Sequence, residues 1–243
     1  MNSYFVRSAM VLGEGAEELL NSKSVAVFGL GGVGGMCCEA LARSGIGRLL
    51  IIDGDTVVES NLNRQIIATK QTVGRNKTDA MAGRIESISD CTVRKCNMFV
   101  MPDDVEAVLP SDIDYIVDAI DTVSTKLALI KYAYEKHIPM ISCMGMGNRL
   151  DPTKIEIRDI YNTSVCPLAR TIRIELRKAG IESLNVAFST EIPVKPIPLE
   201  QAAGRRSTPG STSFVPPAAG LAMASFVIRD LCSGVQSKGH DYK

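Results

Sequence analysis

The chain has 243 residues, 45% of them apolar, which suffices for one α/β domain with a buried core. Lysine plus arginine equals aspartate plus glutamate, 27 each, so a global basic field is excluded and a nucleic-acid partner needs a local patch. Seven cysteines (Cys37, Cys38, Cys91, Cys96, Cys143, Cys166 and Cys232) form no regular framework, and Met1 to Leu12 lacks a basic region followed by a long apolar run; a reduced, cytoplasmic protein without a secretory leader is expected.

Ser3 to Leu20 carries Phe5, Val6, Met10, Val11, Leu12, Leu19 and Leu20 and reads as one or two short helices. Ser24 to Phe28 reads as a strand covered on both faces. A glycine turn follows, Gly29-Leu-Gly31-Gly32-Val-Gly34, then a helix from Gly34 to Ser44 ended by Gly45 and Gly47. Arg48 to Ile52 is the second strand and delivers Asp53. Lys77 to Ser89 is helical, with Met81, Ile85 and Ile88 on one face. Thr92 to Met98, Asp114 to Ala119 and Pro139 to Cys143 are further strands, with a helix from Thr125 to Lys136 before the last. This alternation predicts a Rossmann-like, mostly parallel sheet with helices on both faces.

After Gly145-Met-Gly147-Asn the pattern changes. Lys154 to Asp159 and Val186 to Thr190 read as neighbouring strands, with a helix from Pro167 to Lys178 between them. Pro193 to Gly210 holds four prolines, two glycines and Arg205-Arg206, so a mobile segment is expected over about 193–212. Ser213 to Ile228 is uncharged but shorter than the roughly 18–20 apolar residues of a spanning helix, which predicts a buried helix rather than a membrane anchor. The expected organisation is one domain over 1–243: a nucleotide-binding part, 1–147, and a C-terminal extension, 148–243.

A glycine turn followed about 20 residues later by an acid is the dinucleotide-type fingerprint. Such a turn lets the backbone approach phosphates, and the helix N-terminus behind it offers amide donors. Asp53 would accept hydrogen bonds from ribose hydroxyls, which NAD and ATP share. Lys77 opens a helix, where a cation opposes the macrodipole unless an anion is near. Arg64 stands thirteen residues upstream among Asn61, Asn63 and Gln65. Two readings stand: solvated charges, or a basic pair flanking a nucleotide turn, which points to ATP rather than hydride transfer. Asp121, past a buried strand, suits either Mg²⁺ or the N-cap of the next helix.

Gly29-x-Gly31-Gly32-x-Gly34, Asp53-x-Asp55-x-Val57, Asn61-x-Asn63-Arg64-Gln65, Lys77 and Asp121-Thr together resemble the ubiquitin-activating-enzyme superfamily of adenylating enzymes, over roughly residues 5–147. The resemblance implies that Arg64 and Lys77 bind the triphosphate, Asp53 the ribose and Asp121 Mg²⁺, with Asp55, Asn61 and Gln65 in the same site. It also implies a homodimer in which Arg7, in Phe5-Val-Arg7-Ser, enters the neighbour's active site. Activators of sulfur carriers in that superfamily hold zinc with two Cys-x-x-Cys pairs; only Cys91-x₄-Cys96 comes near, so no structural zinc is expected.

The length, the run Ser164-Val-Cys166-Pro-Leu-Ala-Arg170 and Pro209-Gly-Ser-Thr-Ser-Phe-Val-Pro resemble the tRNA threonylcarbamoyladenosine dehydratases over nearly the whole chain. That implies ATP-dependent activation of the threonyl carboxylate and ring closure with loss of water. Arg170, Arg173 and Arg177 fall at i, i+3 and i+7 of a helix and could meet tRNA phosphates, or form a solvated face. Arg205-Arg206 could do the same. Cys166 at a helix start is either a reactive thiol, as in protein activators, or an incidental one. A sulfur-transfer protein is a further candidate partner. The rival activity is activation of a small ubiquitin-like or sulfur-carrier protein ending in Gly-Gly; an NAD-dependent oxidoreductase leaves Arg64 and Lys77 unexplained.

Overall fold

The computed structural model describes residues 4–197 and 209–235. Two short helices, α1 (Val6–Leu12) and α2 (Ala16–Ser22), lead into β1 (Ser24–Phe28), α3 (Gly34–Arg43) and β2 (Arg48–Ile52). Then come α4 (Lys77–Glu86), β3 (Thr92–Cys96), α5 (Val105–Val108), β4 (Tyr115–Asp118), α6 (Val123–Glu135) and β5 (Met140–Cys143). The remainder is β6 (Ile155–Asp159), α7 (Pro167–Lys178), β7 (Asn185–Ser189) and α8 (Val215–Leu231).

The seven strands form one sheet in the order β3-β2-β1-β4-β5-β7-β6. All neighbours run parallel except β6 and β7, which are antiparallel with Ile157 opposite Ala187. The C-terminal extension therefore completes the same sheet. Chain order reverses between β1 and β4, and that switch point opens a crevice at the strands' carboxyl ends.

Alternation along β1 shows why both faces need helices. Val25 and Val27 enter one core with Leu41 of α3, Met81 and Ile85 of α4, and Met223 and Val227 of α8. Ala26 and Phe28 enter the other with Leu129 and Ile130 of α6 and Ile172 and Leu176 of α7.

The uncharged stretch up to Ile228 forms most of α8 and packs into the core, as its composition predicts. Val215, Pro216, Ala219, Gly220, Met223, Ala224, Val227 and Ile228 of α8 are buried. Among the described residues, no helix is long and apolar enough to cross a membrane.

Two expectations shift. β3 ends at Cys96, freeing Met98 and Phe99 to leave the sheet. α6 starts at Val123 with Thr122 as its N-cap, so Asp121 does not cap it. At the two ends of the Pro193 to Gly210 stretch, Val194 N–H donates to Asn148 O (2.8 Å), Asn148 N–H to Gly210 O (2.8 Å), and Gly210 N–H to Asn148 Oδ1 (2.7 Å). Residues 198–208, with Arg205 and Arg206, lie outside the described residues.

Candidate nucleotide-binding site

The glycine turn owes its course to contacts that exclude a side chain. Gly29 has φ +87°, and a Cβ there would stand 2.8 Å from Ala119 O. A Cβ on Gly34 would stand 1.8 Å from Gly29 O, so Gly34 lets α3 start directly against the turn. Asp53, at the end of β2, fastens this turn to its own loop. Its Oδ2 accepts Leu30 N–H at 2.7 Å and its Oδ1 accepts Asp55 N–H at 2.8 Å.

Lys77 is the first residue of α4, and its side chain is buried, 6% exposed. The anion that position calls for is present: Nζ lies 2.6 Å from Asp55 Oδ2 and 3.6 Å from Asp53 Oδ2. Lys77 N–H also donates to Asp55 O at 3.0 Å, which fixes the helix start beside the acid pair.

The polar run before it folds around Asn61. Its Oδ1 accepts Val58 N–H (3.2 Å), and its carbonyl accepts the backbone N–H of Arg64 and of Gln65. Gln65 is 6% exposed, and its Oε1 is buried without a hydrogen-bond partner. Arg64 is half-buried, its Nη1 donating to Ser60 O (3.0 Å) and Asn63 Oδ1 (2.9 Å). Across the crevice, Asp121 is exposed and makes no hydrogen bond or ion pair among the described residues.

These groups share one cavity of about 760 Å³. Gly29, Gly31, Gly32, Asp53, Asp55, Asn61, Arg64, Gln65, Lys77 and Asp121 all line it. Gly34 and Arg7 do not; Arg7 sits exposed on α1. The C-terminal segment closes one side. Asn63 Nδ2 donates to Ser211 O at 3.0 Å, and Pro216 packs against Gly32, where a Cβ would stand 3.0 Å from it.

Two groups of site residues escape the sequence reading. Met98 to Met101 form a wall of the cavity, with Phe99 68% and Met101 58% exposed, and Thr125 Oγ1 holds that wall through Val100 O at 3.0 Å. Apolar residues just beyond a strand's carboxyl end were the available signal. Beneath the Ala119–Thr122 loop, Lys126 and Asp118 are fully buried and paired at 2.6 Å. Ser142 Oγ donates to Asp118 Oδ2 (2.6 Å), and Lys126 Nζ donates to Ser142 Oγ (3.1 Å) and Cys143 O (3.0 Å). No spacing rule marks a network whose members lie on β4, α6 and β5.

The basic face of α7 divides. Arg173 Nη1 donates to Thr163 O (2.9 Å), to Thr163 Oγ1 and to Ile160 O, and the Arg177 guanidinium lies 5.4 Å from the Tyr161 ring centroid. Both fasten the chain before α7, whereas Arg170 is exposed and without a partner among the described residues. Cys166 is the N-cap of α7 but is 4% exposed, beside Gly145 and outside the cavity. Among the described residues no three His, Cys, Asp or Glu side chains gather as a metal cluster.

The polar groups suit a nucleoside triphosphate: a glycine turn open to phosphates, a buried ammonium and an arginine to meet their charge, and an unpartnered Gln65 oxygen that can accept from a donor on the nucleoside. One free carboxylate opposite the turn suits Mg²⁺, which is commonly held by one or two carboxylates plus substrate phosphates and water.

A ThiF family profile matches residues 5–189. The tRNA threonylcarbamoyladenosine dehydratase of Bacillus subtilis (strain 168) is 40% identical over 245 residues, covering 96% of each chain. Its Escherichia coli (strain K12) namesake is 39% identical over 201 residues, 79% of this chain and 75% of the other. The structure of the E. coli enzyme TcdA in complex with ATP superposes with a TM-score of 0.86 at 34% identity, covering 95% of this chain and 94% of that one.

Proposed function

The chain belongs to the ThiF family, and we propose that it is an ATP-dependent adenylating enzyme that dehydrates and cyclises threonylcarbamoyladenosine in tRNA. The observation that carries the reading is the cavity of about 760 Å³ in which buried Lys77, Arg64 and the unpartnered Gln65 Oε1 surround an open glycine turn. The substrate follows from the relatives named dehydratase, one of which aligns over nearly its full length.

ATP is a substrate. The amides of Gly31 and Gly32 receive phosphate oxygens, Arg64 and Lys77 balance the triphosphate charge, and Asp53 takes the ribose. An oxygen of the threonyl carboxylate bonds to the α-phosphorus as pyrophosphate leaves. The carbamoyl group then closes on the acyl carbon and gives up its N–H proton to solvent, while AMP departs with that oxygen; the oxygen, this proton and the one already ionised from the carboxyl group make up the one water lost. Mg²⁺, held by Asp121, would supply charge neutralisation for the departing pyrophosphate. Positioning and fixed charge account for most of the acceleration.

In this reading Arg170 contacts tRNA phosphates, as do Arg205 and Arg206, while Arg7 completes the site of a second copy in a homodimer. Cys166 stays outside the chemistry, in keeping with its burial.

The test is nucleoside mass spectrometry on tRNA bearing threonylcarbamoyladenosine, incubated with the protein, ATP and Mg²⁺, with Asp121→Ala alongside. Loss of one water in the wild type and not in the variant is expected. An intact nucleoside together with ATP–pyrophosphate exchange driven by a small carrier protein would transfer the activity to carrier activation.

A further inference from the structure

Lys126 lies outside the cavity, so it touches neither nucleotide nor substrate, yet it is one of the largest fully buried side chains in the molecule. A buried ammonium carries a heavy desolvation penalty and is tolerated only when fully hydrogen-bonded. Here all three of its donors are used: Asp118 Oδ2 at 2.6 Å, Cys143 O at 3.0 Å and Ser142 Oγ at 3.1 Å. A methionine of similar length in an apolar setting would fill such a volume without that penalty.

The partners indicate what the charge does. Asp118 is the last residue of β4, and its Oδ1 accepts Ile120 N–H at 3.1 Å, which sets the turn that presents Asp121. Ser142 and Cys143 are the last two residues of β5. Lys126 stands in the second turn of α6, the helix that the Asp121 loop enters. One ammonium thus ties together the end of β4, the end of β5 and the start of α6, the three elements that bound the loop from Ala119 to Thr122. Met144 N–H donates to Ala187 O at 2.8 Å, anchoring the β5 end to β7, so the tie reaches a rigid part of the sheet.

We infer that Lys126, through Asp118 and Ser142, is a positioning residue that holds Asp121 in place for the metal–nucleotide complex. The inference rests on the reading of Asp121 as the Mg²⁺ ligand. Among the described residues Asp121 has no hydrogen bond of its own to fix it, so its placement depends on the backbone that carries it, and that backbone depends on this network.

Calorimetric ATP binding with and without Mg²⁺ tests it without recourse to turnover. Lys126→Met alone would strand a buried carboxylate, so it is paired as Lys126→Met/Asp118→Asn, which removes both charges and keeps an acceptor for Ile120 N–H. Ser142→Ala is the milder second variant. The gain in ATP affinity brought by Mg²⁺ is expected to fall about tenfold in the double variant and about threefold in Ser142→Ala, the scale of one misplaced charge contact. Mg²⁺-free affinity is expected to hold within about twofold, because the glycine turn, Arg64 and Lys77 are unaltered. A full Mg²⁺ gain in folded variants overturns the inference, and so does an equal loss with and without the ion, which would mark a purely structural role. Asp121→Ala is the control: if it keeps the Mg²⁺ gain, the metal reading itself fails.

Discussion

The Lys77 ammonium lies 2.6 Å from the Asp55 carboxylate, a pair in which the cation is buried and the acid is half open to solvent. In the free protein the acid supplies the anion that a helix-opening cation requires, in the space where a triphosphate would compete for it. Lys77→Ala is expected to lower kcat/KM for ATP by about 10²–10³, the usual cost of removing one fixed electrostatic contact. Lys77→Arg should recover little, since a forked guanidinium does not fit a pocket shaped for a point charge. Steady-state kinetics with tRNA saturating gives the answer, and a loss below tenfold would take Lys77 out of the chemistry.

The Arg7 assignment makes a stoichiometric prediction. Arg7 is exposed on α1, the same helix that leaves Met10 79% and Val11 63% exposed. If two copies exchange this residue, inactive Arg7→Ala and Lys77→Ala proteins mixed after subunit exchange should recover about a quarter of wild-type activity. Half the dimers are then mixed, each with one intact site. No recovery, with exchange verified by mass, would leave Arg7 acting within its own chain.

A buried clamp joins α3 to α4 behind the site and gives the fold an acid-sensitive point. Glu39 is 6% exposed and accepts from Arg84 (Nε at 2.6 Å, Nη2 at 3.1 Å) and from Arg43 (Nε at 2.7 Å). Burial pulls its pKa up, but the hydrogen bonds and charges of Arg84 and Arg43 outweigh that and leave it below the usual carboxylate value. A depressed folded-state pKa means stability that is present above the unfolded-state pKa, about 4.3, and lost as pH falls through the folded-state value. Glu39→Gln should cost about 2 kcal/mol at pH 7, moderated because both arginines reach solvent. It should also flatten the decline of stability below about pH 4.5. Urea unfolding of both proteins across pH 3–7 measures this, and parallel pH profiles would exclude Glu39 as the titrating group.

The arginines of α7 separate into two expected behaviours. Arg170→Ala should leave the melting temperature unchanged and lower the salt slope of tRNA binding by about 0.7–0.9, one phosphate contact. Arg173→Ala removes the bonds to Thr163 and Ile160, and should destabilise the protein by about 1–2 kcal/mol. Filter binding across a salt series, beside thermal melts, distinguishes them. An unchanged slope for Arg170→Ala would place the tRNA elsewhere.

The glycine turn, the acid pair and the basic residues were legible because backbone approach and fixed charge leave local traces: spacing of glycines, an acid after a strand, a lysine opening a helix. The parallel sheet was legible from buried runs alternating with amphipathic helices. What the chain order concealed is contact between distant segments. Pro216 seals Gly32, Asn148 holds Gly210, and Lys126 joins three elements, none of which shows in any window of sequence. The arginine stripe shows the limit from the other side: its periodicity was right, yet Arg173 and Arg177 bind their own chain, because a helix face adjoins whatever loop packs beside it.

Two glycines in helices show how far packing decides the effect of one methyl group. Gly83 in α4 is exposed, and a Cβ there meets nothing within 4 Å. Gly83→Ala should therefore stabilise the protein by about 0.5–1 kcal/mol, through helix propensity and a less flexible unfolded chain. Gly220 in α8 is the opposite case: a Cβ would stand 2.3 Å from Val33 O, 3.0 Å from Cys37 N and 3.1 Å from Met36 Cβ. Two of those atoms are backbone, so relief must come from moving α8 off α3. Gly220→Ala should then destabilise by about 2–3 kcal/mol despite its better helix propensity. Because Pro216, one turn earlier in α8, lies against Gly32, the displacement should also weaken ATP binding. Thermal melts and calorimetry on the two variants, measured together, separate propensity from packing. Equal shifts in both would mean that α8 is not seated on α3 as closely as this crossing requires.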